Sequence, residues 1–426
     1  MKSNWRYSTL AGAVTAALGS GATSVDAAGF FLPYQGAAAI GNSLAGTAAL
    51  GEDASTVFWN PAGMSRIQTR QISVAGHYSD PSIDFTDKGS TGPAAIVPAT
   101  GGNGGDAGTA KVIPNVFAVL PFGAWAVGIG VSAPFGNKTE YEPSWRGRFQ
   151  STESELTMIN VNPSVSYQAT PTFALGFGIN YAKMEAEFHQ GAVLGVNTEG
   201  SATLTGDSTA WGLNAGLLWQ ATDETRLGFS YRSKMDFELS GNRQVLTAGG
   251  AAVPGQNFTI EADLTVPAIA QLSVVHELND NWSLLGDIMF TQWSEVNELV
   301  VKRQSTGGVS DRLAFQFKDA WRGSVAVNYR VNDGWLLRSG VAYDQSPVKG
   351  AGERPTSLPD SDRIWVSFGA RWDIAPAHRL DVAYARVIIK DSDINRSTTG
   401  TASAMTLTGG YSSSANILSA QYTFSF

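Results

Sequence analysis

The chain has 426 residues, 29 Lys+Arg, 37 Asp+Glu and no cysteine, which gives a formal net charge of −8. The lack of cysteine excludes a disulfide framework and thiolate chemistry, and it suits an oxidising compartment. An acidic chain without a basic run argues against nucleic acid as a partner.

Residues 1–27 are predicted to form a signal peptide. Two basic residues precede an apolar, small-residue run from Leu10 to Leu18, and Val25-Asp26-Ala27 follows at the cleavage positions. A transmembrane anchor is the alternative, but it would need roughly 18 apolar residues. We therefore expect the mature chain to begin at Ala28.

Residues 28–68 are expected to form a separate N-terminal hatch. They are rich in Ala and Gly, as in Gly36-Ala37-Ala38-Ala39-Ile40-Gly41-Asn42, and they lack the alternation of apolar and polar residues that is typical of a strand. Their alanine content allows short helices. A segment this apolar would not stay free in water, and its length suits a plug inside a barrel.

Residues 69–426 are predicted to form an all-β, fourteen-stranded antiparallel transmembrane barrel. Apolar side chains alternate with small or polar ones in Phe173–Tyr181, as in a strand with one lipid-facing side. Charged residues and glycines interrupt the other apolar stretches, so any membrane span must consist of strands. A β-sandwich also alternates, but it does not explain turn lengths that alternate between short and long.

Short turns and long polar loops alternate along this region, as in outer-membrane barrels with periplasmic turns and extracellular loops. The short turns are Phe122-Gly123, Ala169-Thr170-Pro171, Thr222-Asp223, Asn279-Asp280-Asn281, Asn332-Asp333-Gly334 and Ala375-Pro376-Ala377. The long connections are 80–111, 137–154, 189–207, 240–257, 296–311, 347–361 and 391–412. An even number of strands then places both chain ends on the periplasmic side.

The chain ends in a strand-like run with one wholly apolar face. That face consists of Leu418, Ala420, Tyr422, Phe424 and Phe426. It resembles the C-terminal strand by which bacterial outer-membrane barrels are recognised for insertion. We therefore expect the barrel assembly machinery to bind at Phe426.

Several short segments together resemble the FadL family, outer-membrane transporters of long-chain fatty acids and other hydrophobic molecules. The segments are Gly51-Glu52-Asp53-Ala54-Ser55, Asn60-Pro61-Ala62, Phe317-Lys318-Asp319-Ala320-Trp321-Arg322, Leu337-Arg338-Ser339-Gly340-Val341-Ala342-Tyr343-Asp344 and Pro359-Asp360-Ser361-Asp362-Arg363. They occur in order within the barrel pattern, and the resemblance runs from Ala28 to Phe426.

The resemblance implies a passive channel in the bacterial outer membrane. The ligand would be captured by extracellular loops, enter a hydrophobic pocket in the lumen, and leave sideways through a kinked third strand. A monomer in contact with lipid and lipopolysaccharide is implied, with no cofactor, metal or catalytic residue. A porin for polar solutes is the alternative, against which the apolar plug argues; an outer-membrane enzyme or adhesin is a more distant one.

The predicted third strand ends at Ser132-Ala133-Pro134-Phe135-Gly136. Proline lacks the N–H that a strand ladder needs, and glycine weakens a strand. Ala133, Pro134, Phe135 and Gly136 are therefore the candidate kink, where unpaired backbone would line a lateral opening. A turn at the outer rim is the alternative.

Asn60, Pro61 and Ala62 are the candidate gate of the hatch. An asparagine side chain can bond backbone groups that a missing ladder leaves free, so we expect this turn to pack against the kink. The alternative is an Asx-type turn with a local role alone.

The resemblance also places the N-terminus of the mature chain in the ligand pocket. Phe30 and Phe31 are therefore expected to contact the ligand. The alternative is a disordered chain end.

A carboxylate ligand needs a cation in a mainly apolar pocket. Lys318 and Arg363 are the candidates, and a lumen salt bridge of Arg363 with Asp360 or Asp362 is the alternative. Near the end of the fifth strand the family pattern leads us to expect another basic residue, but the chain has Glu187. Uncharged hydrocarbons or aromatics therefore stay open as ligands.

Overall fold

The computed structural model describes residues 29–92, 100–398 and 405–426. The predicted signal peptide and the cleavage before Ala28 lie outside the described residues. Within these three ranges, no helix combines the length and the apolar character that a membrane crossing requires.

Short helices form the N-terminal plug, as predicted. They are α1 Ala37–Gly41, α2 Thr47–Leu50 and α3 Thr56–Trp59, followed by a 3₁₀ helix at Pro61–Arg66. Helices of this length are not stable alone in water. Burial inside the barrel stabilises them, since apolar side chains such as Ile40, Leu44 and Val57 are fully buried.

Fourteen antiparallel strands surround the plug, and six of them consist of two segments. They are β1 Gln71–Asp87, β2 Lys111–Phe122, β3 Trp125–Ser132 with Gly136–Glu140, β4 Glu153–Thr170, β5 Phe173–Gly195, β6 Thr198–Gln220, β7 Thr225–Arg232 with Met235–Thr247, β8 Phe258–Val266 with Ile269–Glu277, β9 Trp282–Thr291 with Glu298–Arg303, β10 Val309–Ala314 with Ala320–Asn332, β11 Trp335–Asp344, β12 Arg363–Ala375, β13 His378–Ile389 with Ser392–Ser397, and β14 Thr406–Ser425. A second 3₁₀ helix, Trp293–Glu295, lies between the segments of β9.

The barrel closes between its first and last strands. β1 pairs with β14 from Gln71 opposite Ser425 to Asp87 opposite Gly409. This closure leaves no open sheet edge at the seam, which a membrane-spanning sheet requires. The predicted number of strands is confirmed.

Aromatic and aliphatic side chains cover the outer face of the barrel. Near the short turns, outward aromatic rings pair across strands, with centroids 4.4 Å apart in both Trp125–Tyr167 and Trp282–Tyr329. Phe426 is also exposed on this side. Such a band matches the interface with lipid.

The strands extend further than predicted at the end opposite the short turns. The predicted connection 189–207 is a continuation of β5 and β6, which meet in a tight turn at Val196 and Asn197. The connection 296–311 likewise contains Glu298–Arg303 and the start of Val309–Ala314. These extensions are rich in polar residues, so they lack the apolar alternation that identifies a lipid-facing strand.

Candidate functional site

The barrel wall is interrupted between β2 and β3. The ladder between these strands ends at Val131, and in the described sheet the segment Gly136–Glu140 pairs with β4 alone. Ser132 lies opposite Asn160, whereas Gly136 lies opposite Thr157, so β3 carries one residue more than β4 over this stretch. The extra residue is a bulge that bends β3 away from β2.

The kink residues 133–136 are buried in the lumen and bond to the start of the plug. Leu32 N–H donates to Pro134 O at 2.8 Å, and Gly136 N–H donates to Phe30 O at 2.9 Å. The plug thus supplies backbone partners that β2 does not. We call residues 30–35 the N-terminal segment.

Phe30 and Phe31 belong to an aromatic cluster at this contact. The Phe30 ring centroid lies 4.9 Å from that of Trp293 and 5.8 Å from that of Phe135, and Phe31 lies 5.5 Å from Phe135. Gly29 has a φ of 63°, and a Cβ there would lie 2.5 Å from Trp293. Glycine is therefore required immediately before the two phenylalanines.

Apolar space leads from Phe30 towards the long-loop end of the barrel. The upper cavity is lined by Phe30, Asn137, Ser154, Leu156, Phe188, Leu264, Leu299, Phe315, Ser357 and Leu358. A second space shares Phe188 and Leu299 with it and continues along Ala186, Leu204, Leu239, Ile260, Ala262 and Val301. These two spaces form a predominantly apolar path in the lumen.

The two predicted cations do not lie in the lining of the upper cavity. Lys318 is exposed, while its neighbour Phe317 is buried in the aromatic cluster, with its ring 6.0 Å from Trp293. Arg363 is fully buried and forms an ion pair with Asp360, which is the alternative that the sequence left open.

Asp360 also ties the chain start to this region. It accepts a hydrogen bond from Gly29 N–H at 3.1 Å and one from Ser346 Oγ at 2.8 Å. The buried carboxylate therefore has both a cation and neutral donors as partners, as a buried charge requires.

The candidate gate turn packs against a different part of the wall from the kink. Asn60 Nδ2 donates to Leu217 O at 2.9 Å and to Ala48 O at 2.6 Å, and Asn60 Oδ1 accepts from Ala62 N–H at 3.0 Å. A Cβ on Gly216 would lie 1.8 Å from Asn60 Oδ1. The turn is thus both an Asx-type turn and a contact with β6, and its bonds do not reach the kink; its role as a gate stays a prediction.

Glu52 holds the plug to the opposite wall, and sequence reasoning missed this role. Its carboxylate lies 2.8 Å from Arg338 Nη1 and 3.7 Å from Arg371 Nη1, and its carbonyl accepts from Arg379 at 2.9 Å. Burial would raise the pKa of Glu52, but the guanidinium groups of Arg338, Arg371 and Arg379 lower it to about 2. Two of the segments that carry the family resemblance contain Glu52 and Arg338, and their opposite charges were the available signal.

A lipid-facing barrel with an internal plug and an apolar lumen path defines a plugged outer-membrane β-barrel. The family model described as outer membrane protein transport protein (OMPP1/FadL/TodX) matches residues 18–426. The chain belongs to this outer-membrane transport family.

Relatives and solved structures agree with this assignment. Outer membrane protein P1 of Haemophilus influenzae is 29% identical, over 85% of this chain and 86% of that protein. The long-chain fatty acid transport protein of Escherichia coli K12 is 26% identical, over 84% and 87%. A FadL homologue of Pseudomonas aeruginosa superposes with a TM-score of 0.86 at 27% identity, covering 94% and 100% of the two chains. The toluene transporter TodX of Pseudomonas putida shares the fold, with a TM-score of 0.69 at 18% identity and coverage of 94% and 99%.

Proposed function

We propose that this protein carries hydrophobic molecules passively into the outer membrane and releases them sideways between β2 and β3. The observation that carries the proposal is the break in the wall at residues 133–136, which the protein's own N-terminal segment closes from inside. Unpaired backbone facing lipid is costly, so a retained break favours a functional opening.

The proposed route begins in the apolar path near the long loops and reaches the upper cavity beside Phe30. Movement of the N-terminal segment then uncovers the kink, and the ligand passes into the bilayer. The names of the relatives, a long-chain fatty acid transport protein and a toluene transporter, support fatty acids or hydrocarbons as cargo. Transfer of apolar surface from water into hydrocarbon provides about 25 cal/mol per Å² as driving force.

The proposal includes no catalytic step and no cofactor. It describes a monomer surrounded by lipid and lipopolysaccharide, with Phe426 as the contact for the barrel assembly machinery. Phe426 is exposed and its N–H donates to Arg70 O at 2.9 Å, which leaves the aromatic ring accessible at the barrel end.

Deletion of Ala133 tests the lateral route, because it removes the extra residue of the bulge and allows β3 to pair along β2. We expect loss of oleate and toluene uptake in cells that depend on this protein. Pro267→Val is the comparison variant, since Pro267 lies between the two segments of β8 and is not part of the break between β2 and β3. If the deletion variant assembles correctly and takes up both ligands as the wild type does, the lateral route is contradicted. A large single-channel conductance of the wild-type protein would favour a porin.

A further inference from the structure

A third space, which we call the Arg232 cavity, lies beside Phe31, whereas the upper cavity lies beside Phe30. Its lining includes Phe31, Phe58, Trp59, Asn214, Arg232 and Met289. Phe30 lines the upper cavity and Phe31 lines this one. The N-terminal segment thus lies between an apolar space and a space of mixed lining that includes Arg232, Asn214 and Gln271.

Arg232 is a buried cation with no carboxylate partner among the described residues. Its Nη2 donates to Phe58 O at 3.1 Å, its Nη1 donates to Asn180 Oδ1, and its guanidinium carbon lies 4.3 Å from the centre of the Phe58 ring. Two neutral acceptors and a ring face use part of a group that has five N–H donors. A buried guanidinium gains most from an anion in this position.

Two further donors in the same lining are buried and lack partners among the described residues. They are the indole Nε1–H of Trp59 and the Nδ2 amide of Asn214. Asn214 Oδ1 already accepts from Asn162 and Asn180, so its amide N–H groups are the atoms left for a ligand. A buried donor without a partner is costly, so these N–H groups are expected to pair with an acceptor, either a water or a ligand oxygen.

One acid, Asp287, adjoins the cavity through Gln271 and has partners of its own. Asp287 accepts from Gln271, which lines the cavity, at 2.7 Å, and also from Ser273; it lies 3.7 Å from Arg322. Asp287 Oδ2 thus has two donors of its own and Oδ1 has the Arg322 guanidinium as its ionic neighbour, and no contact among the described residues joins Asp287 to Arg232. The cavity itself presents an excess of donors and positive charge.

We propose that the Arg232 cavity is a binding site for an anionic head group, which receives the carboxylate of an amphiphile as the N-terminal segment moves. The inference rests on the transport function proposed above and adds a second, polar station to it. The chemistry is that of a carboxylate held by a guanidinium and two neutral N–H donors. Uncharged cargo would pass without using the site.

The test compares oleate with oleyl alcohol, which share the chain and differ in head group. Purified wild-type protein and Arg232→Gln are titrated with both ligands, and uptake of both is followed in cells. Because hydrogen bonds to charged groups contribute about 1.5–3 kcal/mol, we expect Arg232→Gln to weaken oleate binding about tenfold or more while oleyl alcohol is unaffected. Arg226→Gln is the control, since Arg226 is a buried arginine of the same strand that bonds to Ala49 O outside this cavity.

Trp59→Phe keeps the ring and removes the indole N–H, so it tests the site even where Arg232→Gln does not assemble. A smaller loss for oleate alone supports the site, whereas an unchanged preference for oleate in both variants overturns it. Diffraction from crystals that contain bromide shows whether a small anion binds beside Arg232. A bromide peak there, combined with an unchanged preference for oleate in the variants, contradicts the head-group role. Failure of the wild type to carry either ligand contradicts the transport function itself, and bromide binding alone then decides whether the cavity binds anions.

Discussion

The two ends of the plug contact the barrel in different ways. The N-terminal segment bonds to the kink through neutral groups, two backbone bonds and a 3.4 Å bond from Gln35 Nε2 to Ala133 O. Residues 48–62 are held by the ion pairs of Glu52 and by backbone pressed against wall glycines. Neutral hydrogen bonds contribute about 0.5–1.5 kcal/mol each, whereas breaking a buried ion pair costs about 3–5 kcal/mol. By these contacts the first end of the plug is held more weakly than the second, which is the difference that the proposed release requires.

Glu52→Ala should have the largest effect on this difference, because it removes the carboxylate that Arg338 and Arg371 share and leaves them only Asp381 and Asp373. We expect the plug to loosen, with a loss of up to about 3–5 kcal/mol in its local stability and a rise in ion conductance across planar bilayers. Glu298→Ala is the control, since its pair with Arg312 is exposed and should contribute about 0–1 kcal/mol. Equal conductance of both variants and the wild type would contradict the anchoring role of Glu52.

Acid should release the same end of the plug. The pKa of Glu52 lies near 2 in the folded protein, below its ordinary value of 4.5. A lowered pKa stabilises the fold above about pH 4.5, and this contribution is lost as the pH falls towards 2. Protease cleavage of the plug should therefore increase between pH 4.5 and 2 in the wild type. In Glu52→Gln the cleavage rate should be raised at pH 7 already and respond less to acid; a wild-type rate that does not change in this range would exclude the mechanism.

Gly216→Ala should displace the turn at Asn60 without touching the kink. The added Cβ would overlap Asn60 Oδ1 at 1.8 Å, and overpacking of this kind costs about 1–3 kcal/mol. Gly323→Ala is the control, because no atom lies within 4 Å of a Cβ there. Urea unfolding followed by tryptophan fluorescence measures both, and equal midpoints would show that the turn adapts freely.

Gln35→Ala should have the smallest effect. It removes the side-chain bonds to Leu32 O and Ala133 O and should cost about 1 kcal/mol. We expect hydrogen exchange of residues 30–35 to accelerate by several-fold, while exchange in the Glu52 region is unchanged. Acceleration spread evenly over the plug would mean that its two ends move together.

The barrel could be predicted from sequence because each lipid-facing strand alternates and each turn is marked by Gly, Pro, Asn or Asp. The polar strand extensions at 189–207 could not, since water on both faces removes the alternation. Phe30 and Phe31 were predicted from the family resemblance, and the kink also from Pro134 and Gly136; the structure brings these residues together. The sequence could not show on which side of the wall Lys318 lies. Residues 315–319 interrupt β10, so the two-residue alternation of a strand does not continue through them. The partners of Asn60 and Glu52 depend on contacts between distant segments, which periodicity does not reveal.

A disulfide between residues 31 and 135 tests the central claim most directly. Phe31 and Phe135 face each other as an antiparallel pair, a geometry that brings Cα atoms close enough for a disulfide, and the chain has no cysteine of its own. Oleate and toluene uptake by the Phe31→Cys, Phe135→Cys double variant is compared under oxidising and reducing conditions, with each single variant as control. Lateral release gated by the N-terminal segment predicts that uptake stops when the disulfide forms and returns when it is reduced. Equal uptake by the fully oxidised and the reduced protein would contradict it.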